Sequence, residues 1–204
     1  ATITSGNYSN SLTSGSQLMK LLNSGDWWNG TSGSYYNDAS TVITVNFTNY
    51  KLSDKAKSYI STSRYYLGGY NTSSGVMTNQ FYAYERGTAR YDNNRPLYWD
   101  GYVGLMYPSD YGYAAGNNCV IGTGPYNYDG GCMNKDWLYI SNTAQWLMSS
   151  RSSYDYSVFY VDIDGHVSHS YSKVAFAVHP VFYLSSSASI SEGDGTLAAP
   201  YILS

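Results

Sequence analysis

Charge is scarce in this chain. Lys and Arg number 11 and Asp and Glu 14 among 204 residues, 12% in all with a net charge of −3. That is about half the usual charged share of a soluble protein. No basic run occurs, and phosphate backbones are held by clustered Lys and Arg, so a nucleic-acid partner is disfavoured. No run of about 18 apolar residues is present, so no segment is expected to insert into a membrane. Histidine is limited to His166, His169 and His179, and no HExxH, GxSxG or glycine-rich phosphate loop accompanies them. His166 and His169 are three apart in a strand or turn and face opposite sides, which argues against a shared metal site. Asp162 and Asp164 with Gly165 resemble a fragment of a calcium loop, but the remaining acidic ligands are missing. Neither a metal nor a cofactor is therefore expected. Glu85 beside Arg86 reads as an ion pair that positions a loop. Asp110, after Pro108-Ser109, reads as a turn or cap residue.

Cysteine is nearly absent too. Cys119 and Cys132 sit in a Gly- and Asn-rich stretch with no CxxC motif. A disulfide between them would close a short loop that has few apolar residues to hold it. The alternative is two free thiols. Pairing is the expectation, and it implies an oxidising compartment. The chain opens at Ala1-Thr2-Ile3 without a signal peptide, which is compatible with removal of a leader or anchor.

What the chain has in abundance is tyrosine, 25 in all, on a background that is 43% hydrophobic. Disorder is excluded by that apolar content, and the length suits one compact domain or a domain with a small appendage. Tyr, Ser, Gly and Asn together are the palette of antibody-type binding surfaces, because Tyr offers a large, fairly rigid contact area with a polar tip. The plainer reading is a β-rich domain that uses Tyr on its strands.

Along the chain, Ser14 or Ser16 can cap a short helix carrying Leu18, Met19, Leu21 and Leu22, ended at Asn23-Ser24-Gly25. Residues 41–47 (TVITVNF) read as a strand, and Ser53-Asp54 caps a second helix with Ala56, Tyr59 and Ile60 on one face. Short apolar runs follow at 102–107, 137–140 and 145–148. Residues 157–163 (SVFYVDI) form the clearest strand, 167–176 contain one or two more, and 178–184 close the core. The tail reads as a turn at Gly193-Asp194-Gly195 and a final short strand.

Residues 157–170 form a hairpin around Asp164-Gly165. A two-residue loop mixes polar and apolar groups on both faces. A three-residue loop at 163–165, with Gly165 left-handed, aligns better, and a one-residue slip would exchange the faces. It places Phe159, Val161 and Val167 on an inward face and Tyr160, Asp162, His166, Ser168 and Ser170 on an outward one. The expectation is that the outward groups are exposed and clustered with Tyr156.

Several segments resemble one family. They are Tyr66-Leu67-Gly68-Gly69-Tyr70, Tyr84-Glu85-Arg86-Gly87, residues 103–114 (VGLMYPSDYGYA), Asp136-Trp137-Leu138, Gln145-Trp146-Leu147, residues 178–184, and the closing Gly195-Thr196 with Pro200-Tyr201-Ile202-Leu203. Together, over residues 50–204, they resemble bacterial surface and pilin-like proteins that carry a C-type-lectin-like domain, a group that includes targets of diversity-generating retroelements. VGLMYPSDYGYA is the specific block. The resemblance implies an α+β fold, a C-type-lectin-like domain in which two helices pack on a small irregular antiparallel sheet. Residues 1–50 would be an N-terminal helix and strand segment packed on it, and residues 51–204 the ligand-binding domain. It also implies display outside a bacterial cell, on a pilus or an anchored surface protein. In retroelement targets, adenine-directed mutagenesis diversifies codons near the C-terminus that cannot become Lys, Glu, Gln, Met or Trp. Residues 152–172 contain none of these, where about two are expected from the chain's composition. Two features depart from the family. His179-Pro180 stands where an Arg usually precedes the proline, so any supporting ion pair must be replaced. The calcium ligands of sugar-binding lectins are not recognisable, so calcium-dependent sugar binding is not implied.

The leading expectation is a binding domain, not an enzyme, whose variable face recognises a protein or glycan on another cell or phage. Tyr154, Tyr156, Tyr160 and Tyr171 would supply ring contacts, Asp155, Asp162 and His166 polar specificity, and Ser153, Ser168 and Ser170 close approach. The second reading is a pilin-like filament subunit whose tyrosines pack on its neighbours. The third is an enzyme related in fold to the formylglycine-generating enzymes, which would need a reactive thiol pair or a copper-type site. Cys119 and Cys132 have no basic neighbour in sequence to activate them. Thiol alkylation without reductant should leave the native mass unchanged; uptake of two alkyl groups would show that the cysteines are free.

Overall fold

The computed structural model describes residues 17–36, 41–116, 119, 122–134, 136–196 and 198–204. The proposed caps at Ser14 and Ser16 lie outside these residues. The protein is α+β: short helices surround several small antiparallel sheets. Helix α1 (Gln17–Asn23) ends at the expected Asn-Ser-Gly, and α2 (Asp26–Asn29) follows at once, closed by Gly30 in the left-handed region. A hairpin of β1 (Ser32–Tyr36) and β2 (Val42–Asn46) stands on α2. Asp26 ties the two together by accepting hydrogen bonds from Thr31 and, at 2.5 Å, from Tyr35. Ser53 caps α3 (Asp54–Ser58), its hydroxyl accepting from the Ala56 N–H at 3.0 Å.

The centre is the sheet β6 (Gln145–Ser150), β7 (Ser157–Val161) and β8 (Val167–Tyr171), paired in that order. One of its faces meets α4 (Thr78–Glu85) and α5 (Pro108–Ala114), where Phe81, Tyr111, Leu147, Phe159, Val161 and Val167 form one apolar cluster. The other face meets α1 and strand β5 (Val103–Leu105). There Leu18, Leu22, Val103, Leu105, Trp146 and Val158 form a second cluster, with Tyr160, Phe176 and Val178 packed against it. β5 pairs with β9 (Pro180–Phe182), and β3 (Ser63–Tyr66) pairs with β4 (Tyr98–Gly101). A last pair, β10 (Ile190–Glu192) with β11 (Ile202–Leu203), closes the tail.

Sequence reasoning missed α4, whose mixed polarity conceals its period. The short apolar run at 137–140 is not a strand: Trp137 and Leu138 form a turn, and 139–140 have no regular structure. The run at 102–107 is a strand only over its first half: Pro108 at the first turn favours a helix start, and Asp110 accepts from the Tyr107 N–H at 2.9 Å. Asp110 is thus a cap residue. Glu85, at the end of α4, reaches α5: Oε1 accepts from the Ser109 N–H at 2.9 Å and Oε2 from its hydroxyl at 2.5 Å. Arg86 adds a contact at 3.1 Å from the surface side. This buried carboxylate joins the two helices of the first cluster and needs no catalytic role.

Cys119 and Cys132 are bonded, with Cα atoms 5.5 Å apart. The link anchors the loop that carries Tyr128, whose buried hydroxyl donates to the Gly112 carbonyl at 2.8 Å. His179 meets Gln145 across 3.2 Å, and the Gln145 amide donates to the Leu138 carbonyl at 3.4 Å.

Asp136 is the least satisfied buried acid. Oδ1 accepts from the Leu138 N–H at 2.9 Å, but Oδ2 is buried without a hydrogen-bond partner among the described residues. Burial pushes its carboxyl up to about 7, whereas in the unfolded chain it ionises near pH 4. Between these values the folded state binds more protons, so Asp136 stabilises the fold fully below the unfolded value and loses that contribution as pH rises through the folded one. Glu85 is also pushed up to about 7 by burial, against the donors from Ser109. Denaturant unfolding should show lower stability at about pH 7.5 than at about pH 5. Asp136→Asn should flatten that decline; an unchanged profile would remove Asp136 as its source.

Candidate functional site

The β7–β8 hairpin has the three-residue register. Val161 pairs with Val167 and Phe159 with His169, and the Asp162 N–H donates to the His166 carbonyl at 2.9 Å, leaving 163–165 as the loop. Gly165 takes φ +81. Phe159, Val161 and Val167 are fully buried.

The opposite face is not the open surface that alternation suggests. Tyr160 is half-buried, stacked on Phe176 with ring centroids 4.5 Å apart and edge-on to Trp146 at 6.2 Å. It belongs to the second apolar cluster. Asp162 serves the turn: Oδ1 accepts from the Asp164 and His166 N–H groups, both at 2.9 Å, and Oδ2 lies 3.6 Å from the His166 ring. His166 and Ser168 are half-buried. Tyr156 is six residues from Asp162, and at about 3.3 Å per residue an extended chain separates them by about 20 Å. The expected single cluster of Tyr156, Tyr160, Asp162, His166 and Ser168 is therefore not formed.

The remaining residues meet at the other end of the hairpin. Tyr154 lies 5.5 Å from Tyr156, and Tyr156 lies 5.1 Å from Tyr171, between ring centroids. The Arg151 guanidinium sits over the Tyr154 ring at 4.5 Å, and the Lys173 ammonium over Tyr171 at 5.8 Å. Arg151, Tyr154, Tyr156, Ser157, His169, Ser170 and Tyr171 line a concavity of about 370 Å³. Ser153 and Asp155 lie on the loop beside it, Ser153 exposed and Asp155 half-buried.

Backbone contacts build this end. The Ser152 N–H donates to the Tyr70 carbonyl at 3.0 Å, Arg151 Nε to the Asn71 carbonyl at 2.6 Å, and the Ser172 N–H to the Tyr156 carbonyl at 2.8 Å. Gly69 permits the approach, since a Cβ there would lie 2.0 Å from the Ser150 carbonyl oxygen. The outcome is a tyrosine row on a fixed loop, with two cations above it. Burial, and then the charge of Arg151, holds the His169 imidazole below its usual value, so at neutral pH it offers an uncharged nitrogen. Arg151 has no carboxylate within ion-pair distance among the described residues. Sequence reasoning passed over Arg151, His169 and Lys173, although Arg151 is the sole Lys or Arg between residues 145 and 172.

Among the described residues, no group of three His, Cys, Asp or Glu side chains is placed to hold a metal, and no helix is long and apolar enough to cross a membrane. Comparison with family models, curated proteins and solved structures finds no match.

The two ends of the hairpin should respond differently to truncation. Tyr160→Ala should cost about 2 kcal/mol, from lost burial and lost ring contacts. Tyr171→Ala should stay within about half a kcal/mol, because that ring is 55% exposed. Equal losses in denaturant unfolding would contradict the division.

Proposed function

We propose that this chain is an extracellular ligand-binding domain of the C-type-lectin-like class, used for receptor recognition or adhesion on a bacterial surface. The observation that carries the reading is the tyrosine-lined concavity at Arg151, Tyr154, Tyr156, His169 and Tyr171. Rings, hydroxyls, a neutral imidazole and a guanidinium with no carboxylate partner among the described residues converge there. Such a mixture gives contact area at low entropic cost together with directional polar contacts, and Arg with Tyr is the composition of binding hot spots. The C-type-lectin-like assignment is supported by two short helices, α4 and α5, packed on one face of the β6–β7–β8 sheet. The segment's freedom from Lys, Glu, Gln, Met and Trp supports its place as the diversified region of a retroelement target.

Arg151 and Lys173 bias the site towards ligands that carry a carboxylate or another anion beside a flat body able to lie on the tyrosines. A protein or a glycan can meet that description. Two experiments test the reading. The coding DNA should lie near a reverse transcriptase and a template repeat matching the codons for residues 145–180; without a repeat, diversification is refuted. Immobilised glycans and bacterial surface proteins should be screened with the wild type and with Tyr154→Ala/Tyr171→Ala. Any ligand held by the wild type should be lost by the double variant while its Tm stays nearly unchanged. Retention by both would remove the concavity as the binding surface.

A further inference from the structure

A second concavity, of about 400 Å³, shares no lining residue with the first and lies between α5, the turn at 137–138 and the end of β9. Its construction follows from local geometry. Asp110 and Tyr113 are three apart on α5 and so share a helix face. Val181 and Tyr183 are two apart at the end of β9 and so share a strand face. Trp137 projects from a turn beside the buried Leu138. The cavity is therefore walled by three aromatic side chains, Trp137, Tyr113 and Tyr183, with Met106 and one carboxylate, Asp110. Trp137 is 78% exposed, the highest value among the described large apolar side chains, and Tyr113 and Tyr183 are 47% and 46% exposed. An indole so far from the core adds nothing to folding by burial, and exposed apolar groups gathered at one place mark an interaction site.

The chain already builds one aromatic cage around a cation nearby. The Arg86 guanidinium lies 3.6 Å from the centroid of Tyr82, 5.4 Å from Tyr66 and 5.6 Å from Tyr107, with its charge met by Glu85. Among the described residues no cation sits over the second set of rings, although the Arg86 charge acts on Asp110 and Tyr183 from farther off. Its carboxylate is only half used: Asp110 Oδ2 accepts from the Tyr107 N–H, while Oδ1 accepts no hydrogen bond and meets no cation within ion-pair distance among those residues. Burial first, and then the charge of Asp110, disfavours ionisation of the Tyr183 phenol, while the Arg86 guanidinium opposes that shift. Ring faces and a carboxylate together attract positive charge.

We infer that the Trp137, Tyr113, Tyr183 and Asp110 concavity binds a quaternary ammonium group, as found in choline and in trimethylated lysine. The choice among cations rests on donors. A primary ammonium brings three N–H donors and a guanidinium five. The lining offers them little beyond one oxygen of Asp110 and phenol hydroxyls, so their burial leaves donors unpaired. A quaternary ammonium has no donors, spreads its charge over methyl groups and fits ring faces on several sides.

The test titrates the protein with choline chloride and, separately, with 3,3-dimethylbutan-1-ol, its uncharged counterpart of the same shape. Tryptophan fluorescence and the indole N–H resonances report binding. Choline should perturb the Trp137 signals saturably in the millimolar range, and the alcohol should bind at least about tenfold more weakly. Trp137→Ala should abolish the response without altering the melt, since so exposed a ring supports little of the fold. Asp110→Asn, which retains an acceptor for the Tyr107 N–H, should weaken choline by about tenfold. The Tyr154→Ala/Tyr171→Ala variant should bind choline as the wild type does, which separates this site from the hairpin concavity. Equal binding of choline and the alcohol, equal binding of lysine amide and choline, or an unaltered titration in Trp137→Ala would each overturn the assignment.

Discussion

The pairing of β7 with β8 fixes which side chains enter each of the two apolar clusters, and a small set of contacts at the hairpin tip fixes the pairing. Gly165 is left-handed, which favours glycine, and a Cβ there would lie 2.4 Å from Met133 Cγ, so the Met133 side chain would have to move. Its carbonyl accepts from the buried Tyr111 hydroxyl at 2.8 Å, which binds the tip to α5. Asp162 accepts from two N–H groups of the loop. A slip of one residue would turn Phe159 and Val161 out of the first cluster and bring Tyr160 towards it. Because side chains alternate strictly along a strand, such an error cannot be confined to one position. Both clusters would be lost together.

That constraint was legible in the residues: Asp-Gly, the apolar spacing and the better alignment of a three-residue loop lead to the observed register. The exposure of the second face was not legible from alternation alone. Val158, Phe159, Tyr160 and Val161 form a continuous apolar run, and such runs belong to strands covered on both faces. What covers the second face comes from far away in sequence. Leu18 and Leu22 on α1, Val103 and Leu105 on β5, and Phe176 after β8 meet Trp146 and Val158 there. Nothing local to the hairpin announces those partners. The short α4 is hidden for a related reason: its buried positions, Thr78, Phe81 and Glu85, include a hydroxyl and a carboxylate. The period shows only when the polar members are known to be buried. The resemblance to C-type-lectin-like proteins leads to an α+β chain, but it does not foresee the division of the described strands among five separate small sheets.

Tyrosine serves both of the uses that composition leaves open. Tyr65, Tyr107, Tyr111 and Tyr128 are buried, and each hydroxyl donates to a backbone carbonyl distant in sequence. Each joins a loop or strand end to the core while its ring fills space. In a chain with so few charges and so many irregular segments, the phenol satisfies carbonyls that would otherwise be buried unpaired. Tyr154 and Tyr171 are different: their rings are exposed at the hairpin's open end and their neighbours are cations. Burial of the ring and the partner of the hydroxyl thus set these four tyrosines apart from Tyr154 and Tyr171.

This division limits where a binding surface can vary. Ser157, Val158, Phe159 and Val161 are buried, and truncating a large residue among them costs about 3–5 kcal/mol. A domain's whole stability is typically about 5–15 kcal/mol, so more than one or two such changes would unfold it. Asp162 and Gly165 are bound to the turn, and Tyr160 to the second cluster. The positions left free are the loop 152–156, the tip residues 163 and 164, and residues 170, 171 and 173 beside the open end. Most of them adjoin the concavity that Arg151 closes. A surface able to change without disturbing its own scaffold therefore lies mostly at the open end of the hairpin, and that end holds the rings, the hydroxyls and the Arg151 guanidinium.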